Sequence, residues 1–83
     1  MKLLYFAWVR ERIGLAEEEV EPPADIRTVT DLMAWLRTRG PGYEQAFEAP
    51  KVIRAALDHR HAPHDAPLGS AREVAFFPPM TGG

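Results

Sequence analysis

A chain that closes on Glu73-Val74-Ala75-Phe76-Phe77-Pro78-Pro79-Met80-Thr81-Gly82-Gly83 must bring a strand to the surface and let the rest project from it. Residues 73–77 form a short apolar run of β-prone type, and the prolines stop it, because proline has no N–H with which to continue a ladder. Pro-Pro is also stiff and extended, so it directs the remaining residues away from the body. Chain ends often fray and collect small residues, but here Gly82 and Gly83 stand on a rigid spacer. Lacking Cβ atoms, they leave the smallest cross-section around the final carboxylate. Such a tip can thread a narrow tunnel, where a second enzyme can join it to a nucleotide as an acyl-adenylate and hand the acyl group to a nucleophile. The organisation expected is a domain over residues 1–77 and an extended, flexible tail over 78–83.

The domain has few means of holding itself together. With 83 residues and no cysteine, one small core must do so by packing alone. A hydrophobic fraction of 46% beside 27% charged residues is that of a globular chain, and no apolar run approaches the length of a membrane span. The apolar opening is broken by Arg10, Glu11 and Arg12 with no small-residue cleavage site after it, so no signal peptide, no membrane and a cytoplasmic location are expected. A net charge of −2 gives no electrostatic reason to expect nucleic acid. Without cysteine the chain cannot carry sulfur as a thiol or persulfide, which leaves the terminal carboxylate as the candidate carrier.

Taken in order, residues 2–9 read as a strand with Leu3, Tyr5, Ala7 and Val9 on one face and Leu4, Phe6 and Trp8 on the other. Both faces are apolar. One is expected on the core and the other as an exposed patch for a partner, since large apolar patches seldom go unused. Arg10 to Gly14 should turn, and Glu17–Glu21 should return as the second strand of a hairpin, its acidic side chains in water. Thr28 to Gly40 carries the clearest helix signal. Thr28 and Asp31 form a capping pair, Val29, Leu32, Met33 and Leu36 recur at helical spacing, and Trp35 flanks that stripe. Tyr43 and Phe47 predict a further short helical turn. Val52–Leu57 reads as a third strand, although Arg54–Leu57 would also suit a helix.

His59, His61 and His64 invite a metal reading. Their spacing lacks the matched ligand cluster or helical register of a zinc motif, and Pro63 and Pro67 place them in a loop, so surface histidines and no metal site are expected. A phosphate-cradling loop, a nucleophile elbow and a Cys-His pair are likewise missing from the sequence.

The ending Phe76–Gly83, together with the opening Leu3-Leu4-Tyr5-Phe6-Ala7-Trp8-Val9-Arg10-Glu11 and Ile13-Gly14, resembles the molybdopterin synthase small subunits, a family of sulfur-carrier proteins. The resemblance implies an α+β, ubiquitin-like β-grasp fold, a mixed sheet on one main helix with the first and last strands adjacent at its centre. It implies that the Gly83 carboxylate is adenylated and converted to a thiocarboxylate, with Met80, Thr81 and Gly82 as the tail that reaches the reacting centre. Phe6, Phe77, Pro78 and Pro79 would then be partner-binding, with Val74 and Phe76 in the core. It further implies two partners: an adenylating enzyme that uses ATP and magnesium, and a large catalytic subunit joined in a heterotetramer. This chain would bind no cofactor itself and would pass sulfur to a cyclic pyranopterin precursor. A sulfur carrier for thiamine synthesis and a ubiquitin-like modifier of lysines are the alternatives. The sequence departs from the family pattern at Leu57-Asp58 and at Gly69-Ser70-Ala71-Arg72, which bears on loop geometry.

Overall fold

The strands nearest the two ends of the chain meet at the centre of the sheet. In a computed structural model of the protein, which describes residues 1–79, β1 (Lys2–Tyr5) and β5 (Glu73–Phe77) run parallel, Leu3 beside Val74 and Tyr5 beside Phe76. On the other side of β1 lies antiparallel β2 (Glu17–Glu19). Beyond β5 come β3 (Arg54–Leu57) and β4 (Arg60–Ala62), each antiparallel to its neighbour. The order is β2-β1-β5-β3-β4. A parallel central pair needs a long crossover, and most of the chain supplies it: α1 (Ala7–Ile13), α2 (Val29–Arg37), α3 (Pro41–Ala46) and a 3-10 turn at Pro50–Val52.

Only one face of the sheet is covered by the main helix. Thr28 caps α2 reciprocally with Asp31: the Asp31 N–H donates to the Thr28 hydroxyl at 3.1 Å, and the Thr28 N–H donates to the Asp31 carboxylate at 3.2 Å. The Arg27 N–H, donating to the Asp31 carboxylate at 3.1 Å, and then the Thr28 N–H hold that carboxyl below its ordinary range. The stripe Val29, Leu32, Met33 and Leu36 is buried and joins Leu3, Tyr5, Ala55, Val74 and Phe76 in one core, each large apolar side chain contributing about 1.5–3 kcal/mol by burial. The helix is shorter than expected, ending at Arg37, and Gly40 at φ 152° instead starts α3, after which Phe47 closes the core.

The strand expected over residues 2–9 stops at Tyr5, because Ala7 takes φ 52° and turns the chain into α1. Val9 is buried, Trp8 and Ile13 pack beside the core, and Gly14 caps the helix in left-handed conformation with its N–H on the Arg10 carbonyl. β1 and β2 are therefore antiparallel neighbours joined through a helix, not a tight hairpin. Nor are all the acids of β2 in water. Glu18 lies opposite Leu3, on the core side, and accepts from the Tyr5 and Tyr43 hydroxyls at 2.8 and 2.7 Å, with Arg39 at 3.2 Å. Burial, then the bond to Glu18, pushes both tyrosine hydroxyls above their ordinary range.

Candidate functional site: the root of the C-terminal tail

The last strand sorts its side chains strictly by parity. Val74 and Phe76 are fully buried, the Phe76 ring stacked near Tyr5 at 6.4 Å and edge-on to Phe47 at 5.1 Å. Phe77 turns to the opposite face, half-buried, its ring edge-on to His61 at 6.3 Å. Phe6 continues β1 by one extended residue, donates its N–H to the Phe76 carbonyl at 3.1 Å, and is 48% exposed. Register places Leu4, Ala75 and Ala56 side by side on this same outer face. The result is an apolar floor of one leucine and two alanines with two phenyl rings at the end where the tail begins.

Pro78 and Pro79 follow β5 without pairing and are half-buried. Met80, Thr81, Gly82 and Gly83 lie outside the described residues. The structure thus brings Phe6, Phe77, Pro78 and Pro79 to one end of one face. Chemically this surface offers apolar contact: water leaves when a complementary surface arrives, and aromatic side chains are the commonest interface anchors.

The histidines are dispersed. His61 is on β4, not in a loop, because residues 60–62 pair with β3. His59 and Asp58 form the β3–β4 turn, with φ 71° and 48°, and the Asp58 carboxylate accepts from the Arg72 and Glu73 N–H groups at 2.9 and 3.0 Å. The departure Leu57-Asp58 is thereby accommodated, since Asp tolerates left-handed backbone. His64 Nε2 lies 2.6 Å from the Ile53 carbonyl. Among the described residues no group of three His, Cys, Asp or Glu is placed to hold a metal ion. An open groove of about 440 Å³ runs past Met1, Pro23, Ile26 and Leu68, at the end of β1 opposite Phe6.

Two residues beside Phe77 were not linked to it by the sequence: Arg54, paired with it from β3, and His61, edge-on to its ring. Val52, expected in the third strand, lies in the 3-10 turn before it, and strand order, which decides who neighbours Phe77, leaves no mark in local pattern.

Comparison with known proteins gives this geometry its setting. Over all 83 residues the chain is 40% identical to the molybdopterin synthase sulfur carrier subunit of Escherichia coli K12, with 100% of this chain and 99% of that one covered. The solved structure of molybdopterin converting factor, subunit 1, from Pyrococcus furiosus superposes with a TM-score of 0.74 at 28% identity, 95% of each chain being covered. SAMP1 from Haloferax volcanii superposes at 0.71 and 25% identity, covering 100% of this chain and 98% of its own. The fold is α+β of the ubiquitin-like β-grasp type. A family model matches residues 3–83, and the chain belongs to the ThiS family.

Proposed function

We propose that this chain is the sulfur-carrier subunit of a molybdopterin synthase. The observation that carries the reading is a full-length likeness to a named sulfur carrier subunit, with the family match running through Gly83. In this account the Gly83 carboxylate attacks the α-phosphorus of ATP held with magnesium by an adenylating enzyme, and pyrophosphate leaves. A sulfur nucleophile then displaces AMP to give the thiocarboxylate. The tail next enters the large catalytic subunit, which supplies the acid, base and substrate contacts, and sulfur passes to a cyclic pyranopterin precursor to build the dithiolene. Residues 1–77 are the mount, 78–83 the arm, and Phe6 and Phe77 the surface that docks on each partner in turn. The setting is cytoplasmic; among the described residues no helix is long and apolar enough to cross a membrane.

Intact mass after incubation with the activating enzyme, ATP and a sulfur donor tests the reading. One oxygen exchanged for sulfur at the C-terminus is the expected product, and its discharge should require the large subunit and the pterin precursor. Discharge to a thiazole synthase would reassign the pathway, and lysines carrying this chain's C-terminal fragment would make it a modifier.

A further inference from the structure

An activated acyl group at Gly83 meets the amines that the chain itself carries, and these are few. Of ten basic residues two are lysines, Lys2 and Lys51. The rest are arginines, whose guanidinium stays protonated and does not act as a nucleophile. With the Met1 ammonium, the two lysines are the chain's only primary amines.

The three differ in engagement and in place. The Met1 ammonium donates to the Val20 carbonyl at 3.0 Å and to Glu19 at 3.3 Å. Lys2 Nζ lies 3.1 Å from the Glu17 carboxylate, and that bond above all pushes the lysine above its ordinary range, so it stays protonated. Both also stand at the wrong end of the sheet. Lys2 is paired with Glu73, the first residue of β5, whereas the tail leaves after Phe77, the last.

Lys51 is the opposite case. It is exposed in the middle of the turn Pro50–Val52 and makes no ion pair among the described residues. The turn is ordered: the Val52 N–H donates to the Ala49 carbonyl and the Ile53 N–H to the Pro50 carbonyl, each at 3.1 Å, with Ile53 fully buried. Three residues further on, Arg54 is paired with Phe77. Neighbouring strands lie about 5 Å apart and three residues span at most about 11 Å, so the Lys51 backbone is within about 16 Å of the tail root. Fully extended, residues 78–83 measure about 20 Å. The unengaged lysine is thus the one within reach of the tail's own tip.

We propose that Lys51 is an acceptor for the activated Gly83 acyl group, so that a carrier left without sulfur closes an isopeptide bond on its own domain or on that of a second copy. This rests on the sulfur-carrier reading, which supplies the acyl-adenylate from ATP. The lone pair of Lys51 Nζ attacks the Gly83 carbonyl carbon; the C–N bond forms, the C–O bond to phosphate breaks, AMP leaves with the electron pair, and the nitrogen gives up its proton to water. Gly82 and Gly83 set no side chain in the way of that attack. The donor's carboxylate is consumed, and the chain is withdrawn from sulfur transfer. Because the sulfur nucleophile competes for the same carbonyl, the flow toward Lys51 grows as the sulfur donor runs out. The acceptor here is the carrier itself, and the same fragment on lysines of other proteins remains the mark of a modifier.

The test incubates the full chain with its activating enzyme, ATP and magnesium, with and without a sulfur donor, and follows pyrophosphate release and intact mass. Without the donor, a species one water lighter than the chain is expected where Lys51 of the same chain is the acceptor, and two chains less one water where it belongs to a second copy. Trypsin should release a branched fragment joining residues 40–54 to residues 73–83. Lys51→Arg, which keeps the charge and removes the amine, should lose this product with an unchanged thermal midpoint and undiminished pterin conversion. Lys2→Arg should retain it, and adding the sulfur donor should replace it with the thiocarboxylate. Pyrophosphate release with no joined species would overturn the proposal and leave the carrier reading standing, as would a joined species undiminished in Lys51→Arg or divided evenly between Lys2 and Lys51. A chain that releases no pyrophosphate and gains no sulfur would overturn both.

Discussion

A Cβ built on Gly42 would stand 2.6 Å from the backbone oxygen of Arg12 and 3.5 Å from the Cα of Ile13. α3 thus crosses the end of α1 backbone against backbone, at a separation only hydrogen allows. Because the obstructing atom is main chain, no side-chain rotation relieves the overlap.

Gly42→Ala is the sharpest consequence. In a free helix the change would stabilise by about 0.5–1 kcal/mol, whereas overpacking of a fixed contact costs about 1–3 kcal/mol, so sterics should win. The expected result is a lower denaturation midpoint with an unchanged slope. A midpoint equal to or above wild type would show that α1 and α3 separate without penalty.

Leu36→Ala tests the principal core. Leu36 is fully buried on α2, and such truncations cost about 2–5 kcal/mol, a large part of what a small domain has. Urea unfolding should show the loss directly. An unchanged midpoint is incompatible with the α2 face described.

How much of this was legible in the sequence varies with the residue. The Thr28–Asp31 cap and the stripe through Leu36 repeat at helical spacing, and spacing survives in any context. Parity within 73–77 sorted Phe76 from Phe77, because successive strand side chains must oppose one another. The same rule failed at Ala7–Val9. A short apolar run with no polar position to fix its period fits strand and helix alike, and packing of Val9 with a left-handed Gly14 decided for helix. Glu18 was read as solvated because its partners Tyr5, Tyr43 and Arg39 are distant in sequence. Nothing in the local sequence marks Gly42 as obligatory, because the Arg12 carbonyl that demands it lies 30 residues upstream.

Burial of the Tyr5 hydroxyl, together with its bond to Glu18, makes stability depend on alkaline pH. The folded-state pKa of Tyr5 is raised above the unfolded value of about 10. A raised value means that the protonated form is favoured by folding. The contribution is therefore complete below pH ~10 and is lost as pH rises through the raised folded value. Tyr5→Phe should lose about 1–3 kcal/mol near neutral pH by removing a donor to a carboxylate, yet fall less steeply above pH ~10. Denaturant titrations across that range decide it, and a variant with the wild-type alkaline slope would contradict the linkage.

Adding one residue after Gly83, or deleting Gly83, should abolish sulfur transfer without unfolding the domain. Displacement of the carboxylate by up to ~3.6 Å is far outside what a reacting geometry tolerates. Pterin conversion and thermal unfolding would be followed together. Conversion at the wild-type rate by either variant would remove the terminal carboxylate from the mechanism.

Phe76 and Phe77 provide the test that separates mount from docking surface. Phe76→Asp places a carboxylate in a fully enclosed site between Tyr5 and Phe47, where among the described residues no charged side chain is buried to pair with it, and an unpaired buried charge is costly enough to unfold a small domain. Phe77→Asp puts the same charge on the outer face beside His61, where water solvates it in the free chain. The monomer should stay folded. On docking that charge must lose its water, and aromatic anchors contribute ~2 kcal/mol or more, so affinity for the large subunit should fall roughly thirtyfold or further. Thermal unfolding and calorimetry on both variants give the answer. If Phe77→Asp unfolds while Phe76→Asp stays folded and loses binding, the face assignment is inverted. If Phe77→Asp is folded and binds as wild type, the partners dock elsewhere, and the tail must reach them from a surface without these rings.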